Sequence, residues 1–193
     1  AYLMHEAGIP LEEVEWVQSG LNKSGIAEHV ELALPSTVQI TPVSDKSLDQ
    51  MLINGEIDAL MSSAAPKSFI DGNPDIVRLY PDFEDVESAH YQKTGIFPIM
   101  HTIAIKREIT EQNPWMVKNL FTAFEAAKNR STARMRDVTI SRYPNPWNFV
   151  GAERARALFG EDIWPYGIEP NRKTLETFLQ FCLEQGIAHR PVT

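Results

Sequence analysis

The residue this chain of 193 uses least is cysteine: there is one, Cys182. An internal disulfide framework and a cysteine-rich metal centre are both excluded on that count. Basic charge is also in short supply, with 18 Lys and Arg against 26 Asp and Glu and a formal net charge of −8. No long basic face offsets the acid excess, which argues against nucleic acid or an anionic membrane surface as a partner. Long apolar runs are missing as well. None approaches the roughly 20 residues that a bilayer span needs, so no membrane span is expected. The opening "AYLMHEAGIPLEEVEW" has neither an initiator methionine nor a signal-peptide pattern. It reads as the last turn of a helix over Tyr2 to Ala7, stopped by Gly8 and Pro10, so upstream sequence is expected and the compartment stays open.

What is present is a globular composition, 43% apolar, enough for one substantial core or two small ones. Val14 to Val17 reads as a strand, and 20–35 as a polar loop. Ser44 or Asp45 can cap a helix carrying Leu48, Met51 and Leu52 before Gly55 closes it. Ile57 to Met61 reads as a buried strand, Pro66 opens a helical turn to Ile70, Ile76 to Tyr80 is a further strand, and Asp82 to Lys93 an acidic helix. Asn113 and Pro114 form a cap and first-turn pair for an amphipathic helix with Val117, Leu120, Phe121, Phe124 and Ala127 on one face. Helical segments continue over Ala133 to Arg142 and Gly151 to Phe159, separated by the stiff "RYPNPW". A last helix starts at Asn171 and runs Leu175, Phe178, Leu179, Cys182, Leu183 to Gly186, which makes Cys182 a buried thiol. The pattern is α/β in the first half and mainly helical in the second, and it predicts two lobes joined near Gly95 to Ile105.

The joining stretch, "TGIFPIMHTIAIKREI" from Thr94 to Ile109, places His101 at the mouth of an alternating run read as a strand. Imidazole titrates near neutral pH, so His101 is a candidate acid or base; a hydrogen-bonded structural histidine is the competing reading. His5, His29 and His189, near termini or in loops, read as structural.

Five pieces together resemble one family: "MLINGEIDAL", "RLYPDFEDVE", "TGIFPIMHTIAIKRE", "NPWMVKNLFTAFEAAK" and "WPYGIEPNRKTLETFLQFCLEQGI". They look like the 4,5-dihydroxyphthalate decarboxylases. "GEIDAL" is shared with many solute-binding proteins, whereas "IFPIMH" and "WPYG" followed by "NR" are more specific. The resemblance implies an α/β, type II periplasmic-binding-protein-like fold of two lobes joined by crossover strands, with the first lobe incomplete. Residues 1–97 would form the second α/β lobe and 98–193 the returning, mainly helical part of the first, the amino-terminal strands of that lobe being absent. It implies a carboxy-lyase of bacterial phthalate catabolism that converts 4,5-dihydroxyphthalate, or a similar aromatic carboxylate, to protocatechuate and carbon dioxide. The alternative is a solute-binding protein that delivers a small carboxylate to a transporter; fold cannot separate the two. The enzyme would be cytoplasmic, the solute-binding protein periplasmic or extracellular. A homo-oligomer is compatible with either.

Such a reaction needs a proton donor, clamps for two carboxylates and a dry pocket. His101 is the candidate donor. Ser62 and Ser63, at the carboxyl end of a strand where open α/β sheets bind ligands, could hold a carboxylate with the amides that follow, and Lys67 could add charge. Pro98, within "IFPIMH", joins the substrate-binding set. Glu87 and His90 lie three apart on a helix and share a face, so with His101 they form a candidate divalent-metal group; the alternative is a reaction without cofactor. Trp147, Trp164 and Tyr166 could wall an aromatic pocket or simply pack loops. Arg172 reads as a structural anchor.

Overall fold

A computed structural model describes residues 2–25, 34–140 and 142–191. Much of the loop read over 20–35, and His29 with it, lies outside the described residues. The described chain is mixed, with eight α-helices, one short 3-10 turn and two strands. By contact it divides into two units, residues 1–83 with 177–193, and residues 84–176.

Unit 1 contains α1 (Tyr2–His5), β1 (Trp16–Gln18), β2 (Ile40–Pro42), α2 (Leu48–Ile53) and α3 (Lys67–Ile70). The two strands pair in parallel, with Trp16 opposite Ile40 and Gln18 opposite Pro42. Trp16 is held in place by its indole N–H, which donates to the Leu11 carbonyl at 2.9 Å. α2 begins where Ser47 accepts from the Gln50 amide at 3.2 Å, so the cap is Ser47 and not Ser44 or Asp45. Gly55, at φ +68°, ends it in a conformation that a side chain resists. The Asp49 carboxylate accepts from the amide and the hydroxyl of the buried Ser68, which ties α2 to α3.

Three expected strands are corrected by the structure. Ile57 to Met61, Ile76 to Tyr80 and the run from Thr102 to Lys106 enter no ladder, and the described sheet holds only β1 and β2. A strand is stable only when a neighbour accepts and donates along its edge, and no described segment of this chain does so for these three.

Unit 2 contains most of α4 (Phe83–Thr94), then α5 (Arg107–Gln112), α6 (Pro114–Met135) and α7 (Asn148–Phe159); α8 (Ile168–Glu184) begins in unit 2 and ends in unit 1. α6 starts at Pro114 as expected, but Asn113 gives it no side-chain cap. Its amide donates instead to the Ile109 carbonyl at the end of α5, at 3.3 Å. α6 stops at Met135 rather than running toward Arg142, because Asp137 turns the chain by accepting from the amide and hydroxyl of Thr139. The start of α8 is likewise earlier than Asn171. That side chain sits inside the first turn and donates to the carbonyls of Pro165 and Gly167 at 2.8 and 2.9 Å. At its far end, within unit 1, α8 buries Cys182 as expected, and Phe181 stacks on the His5 ring at 4.6 Å while Glu184 bonds the His5 Nε2 at 2.8 Å.

The α2–α3 tie is the test of unit 1. Asp49→Ala leaves the buried Ser68 hydroxyl and amide without an acceptor and is expected to lower unfolding stability by about 1–3 kcal/mol, read as a lower urea midpoint with unchanged helix content.

Candidate active site

The candidate residues fall in both units. In unit 1, Ser62 and Ser63 are exposed and follow a stretch that forms no strand. The Ser62 hydroxyl accepts from the Ala64 amide at 3.4 Å, closing a turn of the kind that serine favours. Lys67 opens α3 with its backbone amide on Asn22 Oδ1 at 2.9 Å, and its ammonium pairs with Asp71 one turn on. Both partners of that ion pair are exposed, so the lysine can exchange Asp71 for another anion at little cost.

In unit 2, Glu87 and His90 occupy one face of α4, with Glu87 exposed and His90 half-buried. Pro98 and His101 lie on the exposed segment after that helix. Among the described residues no three His, Cys, Asp or Glu side chains gather as a metal group, so Glu87, His90 and His101 are not brought together as one. Two side chains fall short of the three or more protein ligands that catalytic divalent sites use, and no step below is routed through a metal.

A concave feature of unit 2 lies among other residues. A pocket of about 590 Å³ opens between α6, α7 and the loop 160–167, with walls that include Phe97, Phe159, Trp164, Tyr166 and Lys128. Its rings are arranged edge to face, Phe97 against Phe159 at 5.1 Å and against Trp164 at 5.5 Å, with Tyr91 closing on Phe159 at 4.5 Å. This is the offset geometry that ring quadrupoles prefer. Trp164 and Tyr166 thus wall a pocket, as one of the two readings of the sequence allowed, whereas Trp147 is 73% exposed.

Lys128 is the polar centre of this pocket, with a side chain only 5% exposed. Its ammonium donates to Asp162 Oδ1 and Oδ2 at 3.0 and 2.8 Å, pairs with Glu125 at 2.7 Å, and lies 4.9 Å from the centroid of the Tyr166 ring. Burial alone would lower its pKa, but the hydrogen bonds that the ammonium donates to Asp162 and Glu125 outweigh that and hold it above the ordinary lysine value. The cluster carries one cation and two carboxylates. It can stack a ring and orient it, but it has no spare positive charge to clamp a substrate carboxylate. Beside it, Arg156 and Arg136 each pair with Glu161 and lower its pKa.

Neither Lys128 nor its carboxylate partners Asp162 and Glu125 were singled out from the sequence. The signal was present: Lys128 follows Phe124 by four and Phe121 by seven, which puts a lysine on the apolar stripe of α6. A charge at a stripe position is compatible with a buried pair and with a snorkelling surface residue alike.

No family model matches the chain. It is 29% identical over 190 residues to the protein named 4,5-dihydroxyphthalate decarboxylase of Comamonas testosteroni, a match that covers 98% of this chain and 58% of that protein. The chain is thus similar to the 4,5-dihydroxyphthalate decarboxylases. The Pseudomonas putida protein of the same name is 32% identical over 92 residues, covering 47% of this chain and 36% of that decarboxylase. The chain therefore spans less than two thirds of the length of either of these decarboxylases.

The ion-paired Lys128 yields a pH prediction. A raised pKa means that the pair stabilises fully below pH 10.5, the ordinary lysine value, and that this contribution is lost as pH rises through the higher folded value. The urea midpoint should fall above pH 10.5, and the difference between wild type and Lys128→Met should close over the same range.

Proposed function

We propose that this chain carries part of the machinery for decarboxylating 4,5-dihydroxyphthalate, or a similar aromatic carboxylate, to protocatechuate and carbon dioxide. The observation that carries this reading is the match to the Comamonas decarboxylase over 98% of the chain. The proposed architecture is the two-lobed, type II periplasmic-binding-protein-like fold, with residues 1–97 as one lobe and 98–193 as the returning part of the other. The mixed helix and parallel-strand content is compatible with it. An enzyme of aromatic catabolism would work in the cytoplasm. Among the described residues no helix is long and apolar enough to cross a membrane.

The chemistry is constrained by the instability of an aryl anion. The proposed route therefore protonates the ring carbon that bears the carboxylate first, with the ring hydroxyl para to it feeding electron density in. The carbon–carbon bond to the carboxylate then breaks, its electron pair restores aromaticity, and carbon dioxide leaves. One proton is consumed at the ring carbon, and the base it leaves is reprotonated from water. His101 is the proposed donor, because imidazole exchanges a proton near neutral pH and the residue stands accessible on its segment. Ser62, Ser63 and Lys67 are proposed to hold a carboxylate and Pro98 to border the ring.

The assay measures carbon dioxide and protocatechuate from 4,5-dihydroxyphthalate, with and without added divalent metal. Turnover should fall about 10²–10⁴-fold in His101→Ala with substrate binding retained, the range a positioned general acid contributes. Undiminished turnover in that variant would remove His101 from the chemistry. Tight binding of the carboxylate without any turnover by the wild type would remove the decarboxylase reading.

A further inference from the structure

Unit 1 holds a cation that the residues proposed above leave out. Arg78 opens the stretch "RLYPDFEDVE", in a run that enters no ladder among the described residues, and its side chain is exposed. Its guanidinium carbon lies over two phenyl rings, that of Phe69 on α3 at 5.3 Å and that of Phe83 at the start of α4 at 5.0 Å. Both rings belong to unit 1, and both distances fall within the roughly 6 Å over which a ring face attracts a cation. Two ring contacts restrict a long side chain in advance, which lowers the entropy lost when a ligand fixes it.

Several other guanidinium groups end on carboxylates. Arg136 and Arg156 both meet Glu161, Arg154 meets Glu84 and Arg172 meets Glu169. Among the described residues Arg78 has the two rings and no carboxylate partner, although acids outnumber bases by 26 to 18 and Asp75 and Asp82 stand close in sequence. A phenyl ring has no lone pair to accept with, so the five N–H donors of the guanidinium keep their capacity for an oxygen ligand. Open ring surface lies beside it, because Phe83 is 47% exposed. A bare inorganic anion would use the charge alone, whereas a carboxylate carried on a flat ring would use the charge and cover that surface. Lys67 marks a separate position. It already pairs with Asp71, and it stands two residues from Phe69 on α3, where side chains do not share a face.

We propose that Arg78 is a specificity-determining residue that takes the carboxylate of an aromatic acid through two parallel N–H···O bonds, with Phe69 and Phe83 holding the guanidinium in place. Paired bonds of this kind are the geometry in which arginine recognises carboxylates. A lysine at the same position would keep the charge and lose the fork. That the acid is 4,5-dihydroxyphthalate rests on the decarboxylase reading. That the ligand is a carboxylate on an apolar ring rests on Arg78 and the two phenyl groups alone.

The test titrates the full chain with benzoate by calorimetry, with and without inorganic phosphate, in the wild type, Arg78→Gln, Arg78→Lys and Lys23→Gln. The last removes one exposed positive charge from unit 1 without touching Arg78. Urea midpoints are read alongside, and binding is compared among variants that fold as the wild type does; Arg78→Lys carries the test if Arg78→Gln does not fold. Benzoate should bind the wild type, and its affinity should fall about 10–100-fold in Arg78→Gln, as the loss of hydrogen bonds to a charged group requires. It should fall in Arg78→Lys as well and hold in Lys23→Gln, and equimolar phosphate should not displace it. No binding by the wild type, equal affinity in either Arg78 variant, or an equal loss in Lys23→Gln would overturn the proposal. Displacement by equimolar phosphate would do the same, since it marks a site for any anion. Turnover is not measured, so failure here leaves the decarboxylase reading standing, and failure of that reading leaves the benzoate result intact.

Discussion

The demand of the peptide backbone for hydrogen-bond partners governs what this chain can build by itself. Helices meet that demand within one segment, and α4, α6, α7 and α8 accordingly form where their sequence patterns direct them. Strands cannot. Each needs a neighbour at a distance of about 4.8 Å, and the only such pair among the described residues is β1 with β2. Among the described residues the other runs with a strand pattern enter no ladder, and several of their apolar side chains are exposed. Phe121 and Phe124 sit on the expected stripe of α6 and are 48% and 41% exposed.

Where unit 2 does close on itself, rings and one buried cation do the work. Phe97 packs edge to face on Phe159 and Trp164 in the pocket that Tyr166 and Lys128 also line, and the lysine's charge is tolerable only because Asp162 and Glu125 meet it. Both carboxylates keep contact with water, which limits the desolvation cost of the group. The pocket is therefore suited to a flat apolar ring more than to a dianion. His101, the proposed proton donor, is exposed on its segment.

The sequence was informative to different depths in different places. Helix positions were legible because period and punctuation are local properties: Gly55 ended α2, Pro114 began α6 and Cys182 was buried on α8. Cap residues were less legible. Ser44, Asp45 and Ser47 are all chemically competent, and the choice fell to Ser47 through the position of Gln50. Asn113 looked like the cap of α6 and serves the end of α5 instead, since one amide side chain can reach only one helix end. The buried lysine went unread because a single charge on a stripe is indistinguishable, from one chain alone, from a snorkelling surface residue.

The sequence by itself determined the helical periods, the acidic balance, the lack of disulfides and the resemblance to the decarboxylases, all of which depend on residue type and on spacing along the chain. Only the tertiary structure decided that Lys128, Asp162 and Tyr166 meet, across 34 and 38 positions, and that the runs at 57–61, 76–80 and 102–106 enter no ladder among the described residues. The reason is physical: a helix closes its hydrogen bonds with residues four positions away, whereas an ion pair in a pocket and a rung in a sheet each need a partner that sequence distance does not specify.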